Sequence, residues 1–393
     1  MKILHLFSDW KWTGPAEPVL NLCKELERRG HDVTLAFGKP PYPIEESLEK
    51  GVREKGVKAT TQFSLNHVLK ASHFSFLRDN LADLFRLKDY LLRERFDILN
   101  VHHSHDHILG GLAVWRARDH AVVVRTDHKR DSLRPSLGNR LLVSRLTDGI
   151  ITFSKKAEKE DATHFGLPPE RVRRIMPALD LTRFDPRQKF IDMRPVFGIE
   201  PDETVIGMIA RYQKYRRTER FLEAVRTVVK EFPRIKVLLV GRSSQMEESV
   251  IKPMKRLGIE KWVVLPGYRT EDYMDTLACM DIFVFLMPGS DGTARALREA
   301  MAMGQPVIVA DRGILPELVE NGISGLVVKD APEDLARATL DLLRQPNLRR
   351  SVAEAARRKA HQEFRLDRQA EAVEAFYREM IDLGKWKCRL GLP

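Results

Sequence analysis

Short apolar runs separated by stretches of helical periodicity recur along this chain, and that alternation constrains its fold more than any other feature. "KILHLF" reads as a strand, "PVLNLCKELERRG" as a helix stopped at Gly30, and "DVTLAF" as the next strand. The helix-like "FLRDNLADLFRLKDYLLRERF" then leads to the strand "DILNVHH", the helix "HILGGLAVWRARD" and the strands "AVVVRTD" and "GIITFS". This alternation of strand and helix implies a parallel sheet covered on both faces.

The rhythm breaks once. "LDLTRFDPRQKFIDMRPVFGIEPD" is rich in Pro, Asp and Arg and has no period, so it reads as a linker. A second series comes after it: "TVIGMIA", "IKVLLVG", "VVLPG", "IFVFLM" and "PVIVAD" are strands with helices between them, and three long helices close the chain. At 393 residues the chain is too long for one ordinary core. The expectation is an α/β protein of two Rossmann-like, doubly wound domains facing each other across a cleft. The first covers 1–190 and the second 191–370, with a last helix, 371–393, packing back on the first. In such sheets ligands bind beyond the carboxyl ends of the strands.

Composition narrows the function classes. With 43% apolar and 31% charged residues the chain is neither disordered nor of low complexity. No apolar run approaches the roughly 18 residues of a membrane span, and "MKILHLFSD" is too soon broken by charge for a signal peptide. The three cysteines, Cys23, Cys279 and Cys388, are widely spaced, which fits a reducing compartment and a cytoplasmic protein. The net charge of +11 lies mostly in the first half, where residues 1–190 hold 33 Lys and Arg against 25 Asp and Glu. A basic half suits an acidic partner or a phosphorylated substrate, although general solubility accounts for it equally well. Charge is the sole argument for nucleic acid, since no recognition motif accompanies it.

The stretch "MPGSDGTARALREAMAMGQPVIVAD", residues 287–311, carries the most chemistry. A buried strand turns sharply through Pro, Gly, Ser and Asp into a helix whose N-cap is expected at Thr293. The first-turn amides of Ala294, Arg295 and Ala296 would then suit a phosphate. Glu299, about two turns beyond Asp291, can accept two hydrogen bonds from a vicinal diol such as a ribose. Asp291 can take hydroxyls of a second sugar. Taken alone, an acidic pair at this spacing is equally a capped helix with a solvated glutamate.

In its order of motifs the chain resembles the GT-B glycosyltransferases that retain anomeric configuration, in particular glycosyltransferase family 4 (glycosyl transferases group 1). "DGTARALREAMAMGQPVIVADRGILPELVENGISGLVV" is similar to their acidic-x7-Glu signature and to the Gly-containing turn, Pro-Glu pair and Gly-x-x-Gly element that lie beyond it. "WTGPAEPVLNLCKELERRGHDVTLA" is similar to their first loop and helix, with Thr13-Gly14 where Gly-Gly is usual. "MPALDLTRFDP" has Ala178 and Leu179 in place of Asn-Gly.

The resemblance implies a metal-independent transfer from a nucleotide sugar, a UDP- or GDP-sugar, to a glycan or lipid-linked acceptor in cell-envelope polysaccharide or lipopolysaccharide synthesis. It requires no cofactor beyond that co-substrate. Arg211 and Arg216, in "GMIARYQKYRRTERFLEA", would neutralise the leaving diphosphate. Lys214 is a further cation nearby, and Arg217 stands where a glycine is usual. Glu299 would hold the ribose, Asp291 the sugar, and His128 would meet the donor sugar. Gly14, Gly241, Gly292, Thr293, Ala294 and Arg295 would line the pocket, and Tyr268 would stack on the base. An epimerase on the same fold and a non-catalytic sugar-binding paralogue are the competing readings.

Two other features have alternative readings. His102, His103, His105, Asp106 and His107 in "VHHSHDHILGG" look like a metal set, but strand alternation sends His102 and His103 to opposite faces. They are expected to line the acceptor side instead. The helix-like 74–96 segment sets Arg78, Arg86, Lys88, Arg93 and Arg95 among Phe and Leu. It is an amphipathic helix over the sheet or, in the second account, a contact with an anionic membrane at the inner face of the cytoplasmic membrane.

Overall fold

The computed structural model describes residues 1–38, 47–65, 74–118, 121–129, 131–289 and 293–389, and divides into two compact units. The first comprises Met1–Ala178 with Leu366–Pro393, and the second Leu179–Arg365.

In the first unit the apolar runs become β1 (Lys2–Phe7), β2 (Asp32–Phe37), β3 (Ala59–Thr60), β4 (Ile98–Val101), β5 (Val122–Thr126), β6 (Gly149–Thr152) and β7 (Val172–Arg174). Among the described residues they form one parallel sheet in the order β3-β2-β1-β4-β5-β6-β7. The order reverses direction between β1 and β4, which marks a switch point. One face carries an apolar cluster: Leu4, Leu6, Leu99, Val101 and Val123 pack with Leu87 and Leu91 of helix Phe74–Glu94 and Leu109 of helix Ser104–Ala117.

The opposite face is polar toward its carboxyl edge. His5, Asn100 and Val124 are in register across β1, β4 and β5, and Thr126 lies two residues further along β5. The last helix, Leu366–Arg389, packs on this face. Tyr377 is fully buried there, and the Asn100 amide donates to its hydroxyl at 2.5 Å. Gly149 makes that packing possible, since a Cβ there would lie 2.8 Å from Met380 Sδ and 2.8 Å from Phe376 Cζ.

In the second unit β8 (Thr204–Ile209), β9 (Ile235–Val240), β10 (Val263–Gly267), β11 (Ile282–Phe285), β12 (Val307–Ala310) and β13 (Leu326–Val328) form a parallel sheet in the order β10-β9-β8-β11-β12-β13. Its switch point lies between β8 and β11. Helix Thr218–Glu231 lays Phe221, Leu222, Val225 and Val228 on one face of this sheet.

Candidate active site

The carboxyl ends of β8 and β11 flank the second unit's switch point, where a doubly wound sheet leaves its crevice. Beyond β8 the chain runs through Ala210 and exposed Arg211, then buries Tyr212 completely, with its hydroxyl 2.8 Å from the Met208 carbonyl. A single 3-10 turn, Lys214–Arg216, comes next. Lys214 is exposed and its amide donates to the Gln245 side chain at 3.0 Å.

The Arg216 guanidinium donates to the Met287 carbonyl at 2.5 Å and so ties the basic turn to the segment after β11. Arg217 has φ +59°, a left-handed conformation that favours glycine and explains why glycine is usual at such a position. Its charge serves the fold, being 3.1 Å from Asp330, which also pairs with Arg312 at 2.7 Å.

At the end of β9, Gly241 has φ +141°, and a Cβ there would collide with the Ala210 carbonyl at 1.9 Å. The ends of β8 and β9 can approach this closely only with glycine. Beyond β10 the Tyr268 ring is half exposed, with the Arg242 guanidinium 4.3 Å from its centroid. Its face is therefore shared with a cation of its own chain.

Asp291 and Gly292 lie outside the described residues. The helix after them starts one residue later than expected. It spans Arg295–Ala302, and its N-cap is buried Ala294 with φ +47°, not Thr293. Thr293 is buried as well, and its carbonyl accepts from Arg298 Nε at 2.9 Å. Arg298 is fully buried against the Phe364 ring. The helix start thus has that guanidinium on the Thr293 carbonyl and no side-chain cap.

Glu299 is 2% exposed in the helix's second turn, and each of its oxygens is held. Arg295 Nε donates to Oε1 at 2.6 Å, and the Tyr273 hydroxyl donates to Oε2. Burial, and then the Glu299 charge, push the Tyr273 hydroxyl well above its ordinary range, so it stays a donor. Each carboxylate oxygen keeps a second lone pair. Tyr273 was not legible as a site residue.

In the first unit the loop after β1 reaches exposed Gly14, in a turn closed by the Ala16 amide on the Thr13 carbonyl at 3.0 Å. His128, just beyond β5, is 7% exposed and lies edge-on to Phe153 at 5.4 Å. Burial, and then the charges of His103 and Arg125, hold it well below the usual histidine range, so the ring is neutral near pH 7. Its Nε2 is 2.9 Å from His102 Nδ1.

The reading of the histidine-rich stretch 102–107 is corrected in one respect. β4 stops at Val101, so alternation no longer applies, and His102 and His103 both meet the Phe7 ring, at 5.9 and 4.4 Å. Asp106 accepts from the Ser8 and His103 amides, each at 2.9 Å, and so caps the helix. Thr147 donates its only hydroxyl proton to Leu142, so His107 Nε2 must donate to Thr147, at 2.6 Å. Among the described residues no group of three His, Cys, Asp or Glu is placed to hold a metal ion. Nor, among them, is any helix long and apolar enough to cross a membrane.

Two family models match this chain: "Glycosyltransferase Family 4" over residues 13–183 and "Glycosyl transferases group 1" over 189–359. The N-acetyl-alpha-D-glucosaminyl L-malate synthase of Bacillus anthracis is 24% identical over 92% of each chain. The D-inositol 3-phosphate glycosyltransferase of Rhodococcus erythropolis is 28% identical over 92% of this chain and 85% of its own. Among solved structures, Anabaena HepE in complex with UDP-glucose superposes with a TM-score of 0.75 at 19% identity, covering 95% of this chain and 99% of that one.

Proposed function

This chain belongs to glycosyltransferase family 4, the group 1 glycosyl transferases of GT-B fold, and transfers sugar from a nucleotide sugar; from that premise we propose a retaining, metal-independent hexosyl transfer to a glycan or lipid-linked acceptor. The observation that carries the proposal is Glu299, buried at the switch point with both oxygens oriented by Arg295 and Tyr273. A carboxylate held this way keeps two lone pairs in fixed directions, which suits the vicinal diol of a ribose. Arg211 and Arg216, beyond the adjacent strand, supply positive charge for a leaving diphosphate without a metal ion. Asp291 takes sugar hydroxyls, and Tyr268 the base.

In this mechanism the acceptor attacks from the face the diphosphate leaves. The diphosphate itself takes the acceptor proton, and Arg211 and Arg216 stabilise the charge that develops as the C–O bond breaks. His128 offers a nitrogen to a sugar oxygen. The donor is a UDP- or GDP-sugar, and HepE, crystallised with UDP-glucose, supports the former.

For the acceptor, one observation supports a second reading. The relatives named above act on malate or D-inositol 3-phosphate, both anionic, and the first half of this chain is the more basic. A small anionic acceptor fits that pattern. A lipid-linked acceptor is supported by helix Phe74–Glu94, whose outward strip of Leu81, Phe85 and Leu92 is about half exposed beside exposed Arg86 and Arg93. That strip suits peripheral contact with an anionic cytoplasmic membrane. Release of nucleoside diphosphate from a panel of nucleotide sugars, with and without each acceptor class, tests the proposal.

A further inference from the structure

The turns beyond β9 and β10 lie side by side at one edge of the second sheet, and hydrogen bonds fix both of them. The Gly241 amide donates to the Gly267 carbonyl at 2.9 Å, which joins the two turns. The Gln245 side chain accepts from the Lys214 amide at 3.0 Å and ties the β9 turn to the basic turn beyond β8. On the other side, Arg269 Nε donates to Asp272 at 2.8 Å, and the next residue, Tyr273, donates to Glu299. Only five residues, bent back in a turn, lead from Tyr268 to Tyr273. The base of a nucleotide whose ribose is held at Glu299 therefore has this corner within reach.

Two exposed side chains furnish the corner. Tyr268 is half exposed, and Arg242 Cζ lies 4.3 Å from its ring centroid. Among the described residues the Arg242 side chain has no hydrogen-bond or ion-pair partner, whereas the neighbouring Arg269 is taken by both oxygens of Asp272. A guanidinium offers N–H donors and no acceptor. Opposite the edge of a base it can satisfy a carbonyl but not an amino group. Uracil carries O4 at that edge and guanine O6 beside N7, while cytosine carries an N4 amino group and adenine an N6 amino group. Either amino group would set donor against donor.

We propose that Arg242 is a specificity-determining residue of the donor site, which selects the keto bases uracil and guanine over the amino bases cytosine and adenine. The base and the guanidinium lie edge to edge over the Tyr268 face, where the planar arginine fork suits in-plane donation. The inference rests on the reading of this chain as a nucleotide-sugar transferase with Tyr268 at the base. It goes beyond that reading by giving the choice of base to a side chain outside the β10 turn, and by defining the donor class through one carbonyl.

UDP and CDP make the sharpest test, since they share ribose, diphosphate and ring size and differ at that edge. Titration calorimetry of the full chain should show UDP bound more tightly than CDP, and GDP more tightly than ADP, by about tenfold or more. In Arg242→Ala the ratio of UDP to CDP affinity should fall to within about twofold of unity, through weaker UDP binding. Arg242→Glu replaces donors by an acceptor and should reverse the order, so that CDP binds better than UDP. Ratios within one variant cancel the effect of the lost charge on the diphosphate, and the exposed position leaves the core untouched. Equal affinities for UDP and CDP in the native chain overturn the proposal, as does a native ratio retained in both folded variants. If the native chain binds none of the four nucleotides, the donor-site reading falls and this inference with it. Binding without discrimination overturns the inference alone.

Discussion

A buried carboxylate keeps its charge and direction only if neighbouring donors hold it, and Glu299 has two. Removing one leaves a buried oxygen short of a hydrogen bond, at a cost of roughly 1–3 kcal/mol. Tyr273→Phe should therefore weaken nucleotide-sugar affinity by about tenfold or more, measured by titration calorimetry. Because burial keeps the Tyr273 hydroxyl protonated well above its ordinary range, the loss should be the same from pH 6 to pH 9. An affinity equal to the native one would mean that Arg295 alone orients the carboxylate. The places of Glu299 on a helix after β11 and of the basic turn after β8 were legible in the sequence, while the roles given to them came from the family resemblance. Tyr273 and Arg298 were not legible, because their contacts join positions 26 apart in one case and a backbone carbonyl in the other, and no spacing rule encodes either. Thr293 misled because its side chain suits an N-cap, while the chain places Ala294 there in a left-handed turn.

Among the elements, the last helix was expected to return to the first unit, and it has large consequences there. Leu366–Arg389 leaves the second unit's stretch of chain and packs on the polar face of the first sheet, where Tyr377 meets Asn100 and Phe376 and Met380 lie over Gly149. The expectation placed it on the first domain, while the face of the sheet it covers was not read from its periodicity. Most strands were legible as apolar runs. Helices Leu137–Leu146 and Lys155–Phe165 were not, since each buries only two residues and so carries little apolar stripe. Gly149→Val would drive a branched side chain into the Phe376 ring and should cost about 1–3 kcal/mol. Thermal unfolding should show a lower Tm, and limited proteolysis should cut first around residue 366. An unchanged Tm would show that the helix does not depend on that contact.

At the scale of the whole molecule, enclosed histidines set how stability responds to acid. Burial lowers His5, His102, His107 and His128, so the unfolded chain, with pKa values near 6.5, binds more protons than the folded one below that pH. Their contribution is complete above about pH 6.5 and is lost as pH falls, for His5 down to about 3. Asp161 acts oppositely: burial raises it to about 7, so it favours the fold at low pH and loses that contribution as pH rises through 7. Between pH 4 and 6.5 four histidines outweigh one carboxyl. The Tm should fall by several degrees from pH 7 to pH 5, and a flat or rising Tm over that interval would contradict this balance.

The two sheets and their switch points result from the alternation of apolar strands and periodic helices, and the donor site results from the motifs beyond β8 and β11. Transfer from a nucleotide sugar gripped by Glu299 joins these features. The direct measurement is release of nucleoside diphosphate from UDP-, GDP- and ADP-sugars in the presence of EDTA, by the native chain and by Glu299→Ala. The predicted result is release from at least one donor by the native chain, unaffected by EDTA, and a loss of at least a hundredfold in the folded variant. Full activity in Glu299→Ala, or activity abolished by EDTA and restored by a divalent metal, would contradict it.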